Sequence, residues 1–167
     1  MLGFMPDVKD KLLAWVSLGD EPGVAPDAIE RVRGLLNTDD RFNGVDRLGD
    51  DAPREIVAAR DALRDYLVRG DAAGVDRLAR DHRLVVSFTA DGPRLEAADV
   101  DLVAGVLAEV HEAHRAGQWQ RLKACANPDC QWIFYDGSRN RSGRWCSMAE
   151  CGGVMKARAY RARGRSA

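Results

Sequence analysis

The sequence predicts an α+β protein that is predominantly helical: an N-terminal helical domain with a short β-hairpin, then a small C-terminal treble-clef-like or knuckle-type metal module ending in a basic helix. Three observations carry this. Apolar residues recur at helical spacing over the first two thirds of the 167 residues, one β-branched run is followed by turn chemistry, and all four cysteines fall in the last third.

Taken in order, Val8, Leu12, Trp15 and Val16 are spaced for an amphipathic helix that Gly19 and the Asp20–Gly23 turn would end. Asp27 is the expected N-cap of a second helix with Ile29, Val32, Leu35 and Leu36 inward, stopping near Asn37, and Asn43-Gly44 signals a turn. Pro53 suits the first turn of a third helix with Ile56, Val57, Leu63, Tyr66 and Leu67 inward and Gly70 closing it; a shorter helix capped by Asp71 follows. Residues 84–90 and 94–97 around Asp91-Gly-Pro93 form the expected hairpin, the only clear strand pair before the cysteines. Val100, Val103, Leu107 and Val110 make the next inward stripe, in a helix capped by Asp99 and ended at Gly117. Residues 131–135 are short and β-prone, and Ser147 is the expected cap of a last helix reaching Arg163.

The cysteines read Cys125-x4-Cys130, fifteen residues, Cys146-x4-Cys151. Two paired loops of this kind suit one tetrahedral ion, and thiolates are the ligands Zn2+ takes in a closed structural site. Two disulfides or an iron–sulfur cluster are the alternatives. Met1 to Leu13 carries Asp7, Lys9, Asp10 and Lys11 and no apolar run long enough for a signal or a membrane span, so the expected compartment is the reducing cytoplasm and metal is favoured.

The flanking residues add a resemblance. Arg121–Cys130, Trp132-Ile-Phe-Tyr-Asp136, Ser138-Arg-Asn-Arg141, Arg144-Trp-Cys-Ser-Met148 and Cys151-Gly152 together resemble the CGNR-type zinc finger of bacteria. That finger usually follows an ABATE domain, in proteins described as stress-induced transcription regulators. Leu35-Leu-Asn-Thr38, Arg60-Asp-Ala-Leu-Arg64 and Trp119–Lys123 resemble landmarks of that domain. The resemblance implies an ABATE-like sensing or interaction domain over 1–118, a finger over 119–167 with one structural Zn2+ on Cys125, Cys130, Cys146 and Cys151, and DNA as partner. It also points to a ligand pocket near Asn37, Thr38 and Asp39. Where the family reads Cys-Gly-Asn-Arg, this chain reads Cys151-Gly152-Gly153-Val154, so an amide and a guanidinium are replaced.

The formal net charge of -1 hides an asymmetry. From Trp119 on there are ten Lys plus Arg against three Asp plus Glu, and before it 15 against 23: an acidic body carries a basic tail. Arg139, Arg141, Arg144, Lys156, Arg158, Arg161 and Arg163 are the candidate nucleic-acid contacts; a solvated polar C-terminus is the plainer explanation of the same residues. Trp132 and Trp145 suit a mini-core against the cysteines better than base stacking, and Asp136 and Ser138 suit a turn. His111 and His114, three apart on a helix, lack a third ligand or a nucleophile, and His82 reads as a surface residue. With no phosphate-binding glycine loop, nucleophile elbow or His-Glu-x-x-His, the chain is not expected to be an enzyme. The expected function is zinc-stabilised DNA-binding transcription regulation, with a homo-oligomer allowed and no membrane partner. The alternative is a ligand-binding or protein-interaction module that leaves nucleic acid alone.

Overall fold

The computed structural model describes residues 24–164; the helix expected over Val8–Val16 lies outside the described residues. In chain order the elements are α1 (Asp27–Asn37), β1 (Asp39–Asp40), β2 (Val45–Asp46), α2 (Arg54–Arg69), α3 (Ala73–Asp81), β3 (Leu84–Thr89), β4 (Gly92–Ala97) and α4 (Leu102–Arg115). A 3-10 turn (Trp119–Arg121) leads into β5 (Leu122–Ala124) and β6 (Ile133–Tyr135), and a π-helical turn (Met148–Gly152) into α5 (Gly153–Gly164). The strands pair antiparallel as β1–β2, β3–β4 and β5–β6.

The apolar stripes do what their spacing predicts. Ile29, Val32, Leu35 and Leu36 on α1 are fully buried against Ile56, Ala59 and Leu63 of α2 and Val103, Val106, Leu107 and Val110 of α4. The same cluster continues into Trp119, Leu122 and Ile133, so the approach to the cysteines and the inner strand of the last hairpin share the core of the helices. Gly70 ends α2 in the left-handed region at φ 73°, as its position requires. Asp71 accepts the Ala73 N–H at 3.0 Å at the start of α3.

Four details differ from expectation. Extended Pro26 occupies the cap position of α1, and the helix begins at Asp27 instead of being capped by it. The cap of α4 is Asp101, whose Oδ1 accepts the Ala104 N–H at 3.0 Å while Oδ2 meets His82 Nδ1 at 2.7 Å. Asp99 and Val100 precede the helical turn, so Val100 is 63% exposed instead of facing inward. A second strand pair precedes the cysteines, because the chain folds back at Gly44 (φ 65°) and pairs Asp39 with Asp46 and Asp40 with Val45. Two residues per strand are too few for a period to show.

The β3–β4 hairpin packs on α4, with pairing that runs on to Thr89 and Gly92 at the turn. Among the described residues no helix is long and apolar enough to cross a membrane.

Candidate metal centre and basic surface

The finger is built on the β5–β6 pair. Leu122, Lys123 and Ala124 pair with Tyr135, Phe134 and Ile133, and the ladder is extended by Cys125 N–H to Trp132 O and Asp136 N–H to Arg121 O, both 2.7 Å. This closes the loop that carries Cys125 and Cys130. Within it Gln131 adopts φ 52°, rare for a side-chain-bearing residue, and the Trp132 N–H turns back toward the Cys130 sulfur. Ala126 N–H donates to Arg144 O at 2.8 Å, which brings in the second cysteine pair. Ser147 Oγ then accepts the Glu150 N–H at 3.3 Å, the capping role expected of it, although a π-helical turn intervenes before α5.

Asp136 is the hub of the connecting loop. Its buried carboxylate takes Lys123 Nζ at 2.6 Å, Ser138 N–H at 3.1 Å and Gly143 N–H at 2.8 Å. Burial alone would raise its pKa, but the Lys123 ammonium and these donors outweigh it and hold the group well below the ordinary carboxylate range. Lys123 also donates to Arg141 O, and Arg121 to the carbonyls of Asp136 and Ser138, so the loop bearing Arg139 and Arg141 is tied down by its backbone.

The four sulfurs lie within 4.8 Å of one another. Cys146 Sγ is 3.7 Å from both Cys130 Sγ and Cys151 Sγ. A tetrahedral site with Zn–S bonds of about 2.3 Å has sulfur–sulfur edges of about 3.8 Å, so the set fits one zinc ion. Burial pushes the Cys130 thiol up to about 12. Cys146 is driven higher still, first by burial and then by the charges of Cys130 and Cys125. Burial works the same way on Cys125, but the N–H groups of Cys146 and Asn127 aimed at its sulfur more than offset it, and its pKa is lowered. Four thiolates at this spacing need a cation between them, and all four positions of that cation are then filled by the chain. The ion supplies structure and no open coordination position. Asn127 Nδ2 donates to Cys151 Sγ at 3.6 Å from outside the cage, and Trp132 and Trp145 pack around it, the structural role expected of both rings.

The finger is fastened to the helices by polar groups that spacing alone does not identify as partners. The buried Asn37 amide donates to Ile133 O and accepts the Ile133 N–H, both at 2.8 Å, pairing with the backbone of β6 as another strand would. Buried Arg64 donates to Leu36 O and to Gln131 O at 2.8 Å each, and desolvation followed by the charge of Arg41 lowers its pKa to about 10. Buried Arg33 lies between Glu30 and Ile133 O. A signal for Arg60 and Arg64 was present: they stand four and eight residues after Ile56, on the inward stripe of α2.

The residues expected to line a ligand pocket are placed differently from one another. Asn37 is committed to β6, and Thr38 Oγ1 donates to Leu35 O while receiving Arg60; both are buried. Asp39 pairs with Arg41 at 2.7 Å. The cleft on this side of the molecule is lined by the next residue, Asp40, together with Phe42, Asn43 and Arg47 and residues of the finger. His114 stacks on Trp119 at 5.0 Å and meets Tyr66 Oη at 3.3 Å, with burial first and then the charge of His111 lowering its pKa; His111 faces solvent beside Glu112.

The seven candidate basic residues are all exposed and fall into two groups. Arg139, Arg141 and Arg144 leave the tied loop, with the Arg144 guanidinium 5.1 Å from the Trp145 ring centroid. On α5, which buries none of its residues, Lys156, Tyr160 and Arg163 share one face by helical spacing, and Val154, Arg158 and Arg161 share another. Arg158 is ion-paired to Asp129 at 2.8 Å. Among the described residues the other six have no acidic partner.

No curated protein matches the chain. Residues 121–164 match the family model of the CGNR zinc finger, and within that finger the four cysteines form a single zinc site.

Proposed function

We propose that this protein is a DNA-binding transcription regulator in which residues 1–118 form an ABATE-like sensing domain and residues 119–167 the contact with nucleic acid. The observation that carries the reading is the set of six exposed cations, Arg139, Arg141, Arg144, Lys156, Arg161 and Arg163, with no acidic partner among the described residues. Arg158, by contrast, is paired with Asp129. Cations held on a tied loop and a projecting helix are free to neutralise phosphates and release counterions. Lys156, Tyr160 and Arg163 form the outward face of α5, where the 73% exposed Tyr160 ring stands between two cations.

Titration of zinc-loaded protein into labelled genomic DNA fragments across a salt series tests this. Each phosphate held steepens the log–log salt slope by about 0.9, so changing Lys156 and Arg163 to Ala together lowers the slope by about 2 units. Arg158→Ala, which removes an already paired cation, changes it least. Absence of binding at low salt contradicts the proposal.

A second reading, a zinc-stabilised binding module that leaves nucleic acid alone, is favoured by one feature. Val154 stands where the CGNR tetrapeptide has its arginine, and it lines a cleft against the helical domain instead of extending the basic surface.

A further inference from the structure

The zinc site and the basic surface leave one part of the molecule unexplained. A cleft of about 450 Å³ opens between the β1–β2 hairpin and the finger, with Asp40, Phe42, Asn43 and Arg47 on one wall and Asp129, Trp132, Glu150, Val154 and Arg158 among the residues of the other. Its size falls in the ordinary range of small-molecule pockets, and it lies where such pockets form, between two packed units.

The walls offer apolar surface. Phe42 is 63% and Val154 44% exposed. Trp132 adds a second aromatic ring. The charges decide the sign of the occupant. Both guanidiniums are matched: Arg47 to Asp40 at 2.7 Å and Arg158 to Asp129 at 2.8 Å. The Glu150 carboxylate has no partner among the described residues, whereas its backbone is engaged, the N–H by Ser147 Oγ and the carbonyl by the Gly153 N–H. Cys130, Cys146 and Cys151 also border the cleft, and four thiolates around one Zn2+ leave that centre with a net charge of about −2. An anion would meet this negative field with both arginines already satisfied.

We propose that the cleft binds a small organic cation with a flat apolar body, a ring-bearing amine whose charge lies by Glu150 and the thiolate cage and whose ring lies against Phe42 and Trp132. Aromatic faces and a carboxylate together suit such a cation, because the ring quadrupoles and the full charge attract it without a strict hydrogen-bond geometry. This inference does not rest on the DNA reading, and its test contains no nucleic acid.

Tryptamine and indole-3-acetate share a ring system and differ in the sign of their charge. Calorimetric titration of each into the full, zinc-loaded chain, with chemical shifts followed at Phe42 and at the Trp132 indole N–H, reads the site directly. Saturable binding of tryptamine is expected, with shifts at both residues and at least tenfold weaker binding of indole-3-acetate. Phe42→Ala and Glu150→Gln, both exposed positions, should each weaken tryptamine at least fivefold with zinc content unchanged. No saturable binding of tryptamine, equal binding of the two compounds, or affinity untouched by both substitutions would overturn the proposal.

Discussion

The helices bury a continuous cluster of leucine, isoleucine and valine drawn from α1, α2 and α4, whereas the finger's own cluster consists of three buried cysteines with Cys146, Trp132 and Trp145 packed around them. Each fully buried aliphatic side chain contributes about 1.5–3 kcal/mol, so the first cluster has enough area to order its helices by itself. The second does not, and its cohesion comes from sulfur–metal bonds. Between them lies a third kind of bonding: Asn37, Arg33 and Arg64 reach from the helices to backbone groups of residues 131 and 133. A metal module built in this way is positioned by hydrogen bonds whose loss is felt on both sides.

The comparison breaks most visibly at the metal. Cys130→Ser should reduce zinc from one equivalent per chain to near zero by elemental analysis. It should also remove a binding energy that in small zinc modules reaches about 10–16 kcal/mol, while the circular-dichroism signal of α1, α2 and α4 largely survives. The next effect is at the junction. Asn37→Ala leaves the buried Ile133 N–H unpaired and its carbonyl with only the 3.4 Å bond from Arg33, and should cost about 1–3 kcal/mol in urea denaturation of the zinc-loaded protein. Inside the finger, a Cβ at Gly143 would stand 2.9 Å from Asp136 Cγ, so Gly143→Ala should cost about 1–3 kcal/mol and loosen the loop bearing Arg139 and Arg141.

The smallest effect belongs to the body. Burial would raise the Asp101 pKa, but the Ala104 N–H and His82 outweigh it and hold the carboxyl below its ordinary value. A carboxylate depressed on folding stabilises above its unfolded pKa and loses that contribution as the pH falls through the folded value. Asp101→Ala should therefore cost about 1 kcal/mol at neutral pH, and the gap to wild type should narrow at pH 3. Urea melts at the two pH values check this, with both proteins free of zinc at the lower one.

The parts of this architecture that sequence makes legible are those with local grammar. The paired cysteine spacing contains the whole ligand set, and the stripes of α1, α2 and α4 announce the core. The junction is of another kind. Asn37 is 96 residues from Ile133 and Arg64 is 67 from Gln131, and no periodicity marks a polar side chain for a distant backbone group. Arg60 and Arg64 show how far the signal goes: their place on the inward stripe implies burial, while the identity of what they hold depends on tertiary contacts. Asn37 and Thr38, expected near a pocket, are the stitching beside it, and the cleft opens two residues later at Asp40.

Amide hydrogen exchange, followed by NMR before and after a strong zinc chelator is added, tests most directly whether the finger is built by its metal and the helices by their core. The account predicts that protection collapses at Asn127, Trp132 and Cys146, whose N–H groups face the sulfurs, and persists through α2 and α4. Protection unchanged across the finger, or lost in equal measure throughout the chain, would contradict it.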